Sequence, residues 1–266
     1  MAKVAIIGYG YVGKAYHKVF PDAVIHDLDY NNKDEINSCN LAIICVPTPT
    51  AEDGSSCDTS SVEEIFNWLT TPLILIKSTI KPGTTDMLQN KFPLLKLAFS
   101  PEYVSEGGYF VQFWNYPHPT DPTYHDFMII GGEKKTTSAI VDIFIKKMGP
   151  HVKFMQTNAK TAEFIKYMEN FFFATKITFV NEMYECAKAI GVDYNEVREG
   201  WLMDPRVNRN HTAVFPEKRG FEGKCLPKDT KAFIASAKDA GYEAGFLKSV
   251  LENNNRIRDI NGFEKV

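Results

Sequence analysis

The sequence predicts an α/β protein: a doubly wound parallel sheet on the N-terminal side, followed by an all-helical domain entered through a long connecting helix. Three observations predict it. Short apolar runs recur through the first 155 residues, separated by spacers able to hold helices. A glycine-rich turn follows the first of these runs. Beyond about residue 156 the short runs give way to longer stretches of helical period.

The runs are Lys3–Ile7, Val24–His26, Leu41–Val46, Leu73–Lys77, Leu95–Phe99, Phe127–Ile130 and Val152–Met155. They are compact and rich in Val, Ile, Leu and Phe, as strands buried on both faces of a parallel sheet are. Val12–Phe20, Ser60–Leu69 and Thr136–Met148 are spacers that read as helices. Ala159–Ile190 then runs without Pro or Gly and stops at Gly191, with Phe164, Ile165, Met168, Phe171, Phe172 and Ile177 at helical spacing. Two further helices are predicted near Lys228–Ala240 and Gly245–Arg258, and Met203–Cys225 reads as a loop. The predicted division is residues 1–156 for the sheet domain and 157–266 for the helical one.

With 266 residues, 44% hydrophobic and 24% charged, the chain has room for one large globular domain or two. A formal net charge of -3 leaves no electrostatic footprint for nucleic acid. The cysteines Cys39, Cys45, Cys57, Cys186 and Cys225 are scattered with no C-x-x-C pair, so neither a disulfide framework nor a metal site is predicted. The start MAKVAIIGYG lacks the layout of a signal peptide, and no apolar run reaches membrane-spanning length. The expectation is a soluble, cytoplasmic protein with no nucleic-acid or membrane partner.

Strand VAIIG runs into Gly8-Tyr9-Gly10-Tyr11-Val12-Gly13, the order a Rossmann-type dinucleotide site requires. Gly8 permits the tight turn, Gly10 lets backbone approach a pyrophosphate, and Gly13 lets helix and strand pack closely. The helix N-terminus at Tyr11 and Val12 favours phosphate charge. Asp27, about 20 residues beyond Gly8, ends the second strand where a carboxylate takes ribose hydroxyls. A carboxylate there repels a 2′-phosphate, so NAD is expected rather than NADP, with Asp29 as the second candidate. Val46-Pro47-Thr48-Pro49-Thr50 follows the third strand, where ligands of such sheets bind. It reads either as a rigid turn or as a loop beside the nicotinamide.

Further places carry chemistry-bearing side chains. Lys77-Ser78-Thr79 ends the fourth strand, and Pro101-Glu102-Tyr103-Val104-Ser105-Glu106-Gly107 follows the fifth. Lys166 and Asn170 are four residues apart and project from one helix face. Cys225 sits in RGFEGKCLPKDT with Asp229 beyond it. Singly, each has a plain structural reading: a solvated face for Glu102 and Glu106, surface charge for Lys166, an inert thiol for Cys225, a helix cap at Thr230 for Asp229. Together, beside a dinucleotide fold, they form a set of thiol, cation, amide, hydroxyl and carboxylates.

From about residue 2 to about residue 257 the sequence resembles the nucleotide-sugar dehydrogenases of the UDP-glucose/GDP-mannose 6-dehydrogenase family, most closely the UDP-glucose type. The likeness rests on Gly8–Gly13, Val46-Pro47-Thr48-Pro49, Lys77-Ser78-Thr79, and Ser100-Pro101-Glu102 with Glu106-Gly107. It continues through Ala162-Glu163 with Lys166, Asn170 and Asn181-Glu182, and through Gly220-Phe221-Glu222-Gly223-Lys224-Cys225-Leu226-Pro227-Lys228-Asp229. The resemblance implies oxidation of a nucleotide-sugar C6 alcohol to the carboxylate with two NAD. It implies Cys225 as nucleophile, Lys166 and Asn170 as oxyanion donors, Asp229 and Thr79 as the pair that orders a water, and Glu102 as acid/base. Glu106 is implied near the cofactor. Tyr103, Gly220, Phe221 and Gly223 are implied around the substrate, with Arg206, or its rival Arg209, donated across a homodimer formed through the helical domain. Two alternatives stay open: a two-electron enzyme of β-hydroxyacid dehydrogenase type using Lys166 and Asn170, and a non-catalytic NAD-binding form that pairs with a full-length relative.

The sequence departs from the family's pattern in three places. Members usually carry a third domain that helps hold the nucleotide, and this chain stops soon after Leu251–Arg256, where the connecting helix would lead into it, so a form lacking that domain is expected. Glu222 stands where the family usually has glycine, which brings a negative charge to the substrate loop. Asn115–Asp126, with Pro117, Pro119 and Pro122, is also atypical.

Overall fold

Runs of Val, Ile and Leu with no polar residue to turn outwards are satisfied only where both faces of a strand are covered. In the computed structural model of the protein, which describes residues 2–51, 57–104 and 121–266, these runs form a seven-stranded sheet. The strands are β1 (Val4–Ile7), β2 (Val24–His26), β3 (Leu41–Ile44), β4 (Leu73–Ile76), β5 (Lys96–Phe99), β6 (Phe127–Gly132) and β7 (Lys153–Thr157). The helices are α1 (Tyr11–Val19), α2 (Lys33–Asn37), α3 (Ser60–Ile65), α4 (Thr84–Lys91), α5 (Lys134–Met148), α6 (Ala159–Ile190), α7 (Tyr194–Trp201), α8 (Leu226–Asp239) and α9 (Gly245–Ile260). The expected α/β class, with a mostly parallel sheet followed by helices, is what the chain adopts.

Successive residues of each inner strand enter opposite cores. Ala5 and Ile7 of β1, Ala42 and Ile44 of β3, and Ile74 and Ile76 of β4 pack with Ile36, Val62, Ile65 and Leu88 from α2, α3 and α4. Val4, Ile6, Leu41, Ile43 and Leu75 pack on the other face with Tyr16 and Val19 of α1 and Ile140 and Phe144 of α5. Helices on both faces make the sheet doubly wound.

The strand order is β2-β1-β3-β4-β5-β6-β7. Six strands would have to run parallel to β1 for the sheet to be wholly parallel, and β5–β6 breaks this: the pair is antiparallel, with Ala98 opposite Gly132 and Phe99 opposite Gly131. A continuous apolar run reads the same in either chain direction, so the sequence pattern carried no warning of the reversal. The helices α2, α4 and α7 were also not predicted. α2 has five residues, α4 is mostly polar around the single buried aliphatic Leu88, and α7 contains Gly200.

The described residues divide into two compact units, the first running to Lys166 and the second from Tyr167 on, with Thr50 and Ala51 grouped with the second. In the second unit Phe171, Ala174, Phe221 and Val250 form a core with Leu226, Phe233 and Leu251. Among the described residues no helix is long and apolar enough to cross a membrane.

Register fixes what the first unit presents at its carboxyl edge. Ile7 pairs with Ile44, Ile44 with Ile76, and Ile76 with Phe99. The next residues, Gly8, Cys45, Lys77 and Ser100, therefore emerge in one row. At Gly8 (φ +90) a Cβ would lie 2.8 Å from backbone atoms of Cys45 and Val46, and at Gly13 a Cβ would lie 2.0 Å from the Gly8 carbonyl oxygen. Gly13→Ala is accordingly expected to cost about 3 kcal/mol in stability, because backbone rather than a flexible side chain must move; urea denaturation measures it.

Candidate active site

The row at the sheet edge lies where strand order reverses between β1 and β3, the place where open α/β sheets take ligands. Gly8 donates its N–H to the His26 carbonyl at 2.8 Å, closing the turn onto β2. Asp27, just past β2, is half-buried; its Oδ2 accepts from the Tyr9 N–H and its Oδ1 from the Leu28 N–H, both at 2.8 Å. The start of α1 has no side-chain cap, and Tyr11 is exposed there. Gly10 is the one glycine of the three whose Cβ would meet nothing within 4 Å, so the open side of the turn lies over it. Thr48 is buried, while Val46 is half-buried and Pro47 exposed. The Ser78 hydroxyl donates to the Val46 carbonyl at 2.7 Å and so ties the loop after β3 to the end of β4, beside half-buried Thr79.

The turn after β5 is organised by charge. Lys166, on the second turn of α6 and 7% exposed, places its Nζ 2.9 Å from Glu102 Oε1 and donates to the Glu102 carbonyl at 2.7 Å. Glu102 Oε2 accepts from the Val104 N–H at 2.8 Å. Burial pushes the Glu102 carboxyl up, but the Lys166 charge and hydrogen bond, the Val104 amide and Lys77 together hold it below the usual carboxylate value. The Tyr103 ring centroid lies 5.8 Å from Lys166 Nζ. One turn earlier, fully buried Glu163 accepts from the Thr85 N–H at 2.8 Å, the Thr85 hydroxyl at 2.6 Å and the Gly83 N–H, and so caps α4 from a different helix. Lys77 is also buried, and burial pushes its ammonium down from 10.5 to about 7, against the pull of Cys45 and Glu102.

In the second unit, Cys225 is exposed and is the N-cap residue of α8, with Pro227 in the first turn. Cys45, by contrast, is buried, and burial pushes its thiol up to about 12. Asp229 does not cap a helix starting at Thr230, since α8 already begins at Leu226; Asp229 lies inside its first turn. Its Oδ2 accepts from Asn170 Nδ2 at 2.5 Å, and its Oδ1 lies 2.6 Å from Lys228 Nζ. The loop before Cys225 hangs from α6 and α9. Phe221 is buried in the core, and Asn254 pairs with its backbone on both sides, Oδ1 accepting from the N–H at 2.7 Å and Nδ2 donating to the carbonyl at 3.1 Å. Gly220, at φ +71, leaves room for Asn254, whose Oδ1 would sit 2.4 Å from a Cβ. Arg219 donates to Asn181 Oδ1 at 2.9 Å and pairs with Glu185 at 2.8 Å. Gly223 has φ +86 and a Cβ would meet nothing there. The Glu222 carboxylate is drawn to Arg258 at 3.1 Å.

Of the two candidate arginines, Arg209 makes a two-pronged pair with Glu199 at 2.9 and 2.6 Å, whereas Arg206 has a side chain 88% exposed and pairs with Asp204 in its own loop. Glu106 lies outside the described residues.

Residues 18–147 match the UDP-glucose/GDP-mannose dehydrogenase family, NAD binding domain, and residues 160–256 match the same family's central domain. The chain belongs to the UDP-glucose/GDP-mannose dehydrogenase family. It is 30% identical over 246 residues to UDP-glucose 6-dehydrogenase of Rickettsia prowazekii (strain Madrid E), a match covering 89% of this chain and 53% of the relative. The chain thus spans about half the length of the curated relatives it matches. Among solved structures it resembles a UDP-glucose dehydrogenase from Pyrobaculum islandicum (TM-score 0.78, 25% identity, 96% of this chain and 68% of that one). It also resembles a UDP-D-ManNAc dehydrogenase from Pyrococcus horikoshii (TM-score 0.75, 25% identity, 97% and 69%).

NAD is the cofactor of the matched dehydrogenase-family domain, and the residues present fit it. The uncapped start of α1, the open face over Gly10 and the Asp27 carboxylate are the features a pyrophosphate and a ribose require. Sequence reading of this family member gave no role to Glu163, Arg219, Asn254 or Arg258. Their signal was available only as polar residues within apolar-periodic helices or beside the cysteine motif.

Two outcomes follow from this geometry. Asn254→Leu strands the Phe221 N–H and carbonyl in the core and should cost about 1–3 kcal/mol for each group, read by urea denaturation. Between the folded Lys77 value of about 7 and its ordinary 10.5, the unfolded chain binds the proton and the folded chain does not. Stability should therefore rise with pH across that window, and thermal melts of Lys77→Met should lack this rise.

Proposed function

We propose that the chain acts as an NAD-dependent nucleotide-sugar 6-dehydrogenase of the UDP-glucose type, taking a C6 alcohol to the carboxylate through a thiohemiacetal and a thioester on Cys225. The observation that carries this reading is an exposed cysteine at the head of α8, with Asp229 in the same turn bound to Asn170 of α6. An enzyme that stops at the aldehyde has no use for that thiol. We assign residues 1–156 to cofactor binding and 157–266 to a helical domain bearing the cysteine loop.

Two molecules of NAD in turn, held by the Gly8–Gly13 turn and Asp27, would supply the hydride acceptors, one for each oxidation, and in the first the alcohol proton leaves to the water that Asp229 and Thr79 order. After the first, the Cys225 thiolate adds to the aldehyde carbon, forming the C–S bond and turning the carbonyl oxygen into an oxyanion. Lys166 and Asn170, one turn apart on α6, are the donors proposed for that charge. Loss of the second hydride restores the C=O bond as a thioester. Water, ordered by Asp229 and Thr79, then attacks; the C–S bond breaks, the thiolate leaves, and the proton passes to a carboxylate. Glu102 is the proposed acceptor, and its pairing with Lys166 keeps it ionised for the purpose. Tyr103, the Gly220–Gly223 backbone and Arg206 are proposed to hold the substrate. The Glu222–Arg258 pair reduces the charge that Glu222 presents to a nucleotide diphosphate.

Incubation with UDP-glucose and NAD should yield about two NADH per sugar, and Cys225→Ser should stop the reaction before the acid is released. UDP-N-acetylmannosamine, run in parallel, tests the sugar. Absence of turnover with every nucleotide sugar overturns the proposal. Full activity in Cys225→Ser instead supports two-electron chemistry by Lys166 and Asn170 alone.

A homodimer is proposed on separate grounds. Met168, Phe172, Phe179, Met183 and Ile190 are exposed along α6 at alternating steps of four and seven residues, an apolar seam of the kind that pairs helices. Light scattering should give twice the chain mass at micromolar concentration, and Phe172→Glu should halve it; a monomeric wild type would count against the seam.

A further inference from the structure

Lys77 has no part in the mechanism above, yet it is among the largest fully buried side chains of the protein. It sits there because β4 and β5 are in register at Ile76 and Phe99, so the residue after β4 lies beside Ser100. Its Nζ donates to the Ser100 hydroxyl at 2.8 Å and the Pro101 carbonyl at 3.2 Å, and lies 4.4 Å from the centroid of the Tyr16 ring. These partners are a hydroxyl, a carbonyl and an aromatic face, all uncharged. Holding an ammonium among them is expensive, and a methionine of the same length would fill the space without that cost.

What the ammonium holds is the turn that carries Glu102. The last ladder bond of β5 joins the Ser100 N–H to the Ile76 carbonyl at 3.0 Å, after which the chain leaves the sheet. Two lysines then take successive carbonyls: Lys77 binds that of Pro101, and Lys166 binds that of Glu102. We propose that Lys77 is a positioning residue for Glu102, clamping the Ser100–Pro101 turn against α1 so that the carboxylate is presented to Lys166. The catalytic consequence rests on the dehydrogenase reading; the positioning does not. The groups that face Lys77 from neighbouring elements are Tyr16 of α1, Cys45 after β3, Glu102 and Ser100 after β5, His125 before β6 and Lys166 of α6.

The test has an arm that needs no turnover. In protein labelled with carboxyl-carbon glutamate, the Glu102 resonance is assigned by its loss in Glu102→Gln, and its titration is followed in wild type, Lys77→Met and Lys77→Arg. In Lys77→Met the titration should move up and the resonance broaden or split, while the melting temperature holds or rises. Lys77→Arg, which restores the charge and the donors, should move part of the way back. In the second arm, kcat for nucleotide-sugar oxidation should fall at least about tenfold in Lys77→Met, with KM for NAD changed less than about threefold. An unchanged Glu102 titration in Lys77→Met overturns the positioning role, as does a retained kcat in an active enzyme. If Lys77→Met does not fold, Ser100→Ala removes one anchor and leaves the ammonium in place, and should shift Glu102 the same way by a smaller amount; no shift there also overturns it. If wild type oxidises no nucleotide sugar, the dehydrogenase reading fails, and the carboxyl titration alone decides the role of Lys77.

Discussion

The pairing of Ile7 with Ile44, Ile44 with Ile76 and Ile76 with Phe99 is the constraint on which the first unit's chemistry depends. Side chains alternate along a strand, so slipping any one of these strands by a single residue would exchange its two faces. Here both faces are apolar, and register is set by the row as a whole. Because the four strands end level, four sequence motifs far apart in the chain leave the sheet side by side. Gly8 turns towards β2, Ser78 ties the loop after β3, and Lys77 reaches the turn after β5.

Each unit then meets the problem of burying charge. Lys166 and Glu102 neutralise each other, and every oxygen of Glu102 has a donor: the backbone oxygen and Oε1 face Lys166, and Oε2 faces Val104. Asp229 is held between Asn170 and Lys228, and Arg219 is paired with Glu185. Lys77 departs from this pattern, with neutral partners and an ammonium that burial brings down to about 7. Buried, paired groups of this kind fix orientation more than they add stability, since desolvation offsets most of the attraction. The loop before Cys225 shows the same economy: one asparagine, Asn254, pairs both backbone groups of Phe221, and the apolar ring anchors the loop in the core.

Much of this was legible in the residues. The long helix Ala159–Ile190 follows from the absence of breakers and from its helical period, and the strand Val24–His26 from its composition. The glycine turn was readable because only glycine fits at Gly8 and Gly13. Strand direction at β6 was not readable, because an apolar run has no polarity. The start of α8 was misplaced because Cys225 is a poor capping residue by type, although Pro227 and Asp229 behind it are ordinary first-turn residues. The three adjacent phenylalanines of α6 point three ways: Phe171 into the core, Phe172 outward, and Phe173 onto His211.

By itself the sequence determined the fold class and the position of the glycine turn, because those depend on local period and backbone permissiveness. Only the tertiary structure decided which groups meet: Lys166 with Glu102, Asn170 with Asp229, Lys77 with the Pro101 carbonyl, Glu222 with Arg258. The physical reason is that a buried polar group is satisfied by whatever lies within about 3 Å of it, and that neighbour is chosen by strand register and helix packing, not by distance along the chain.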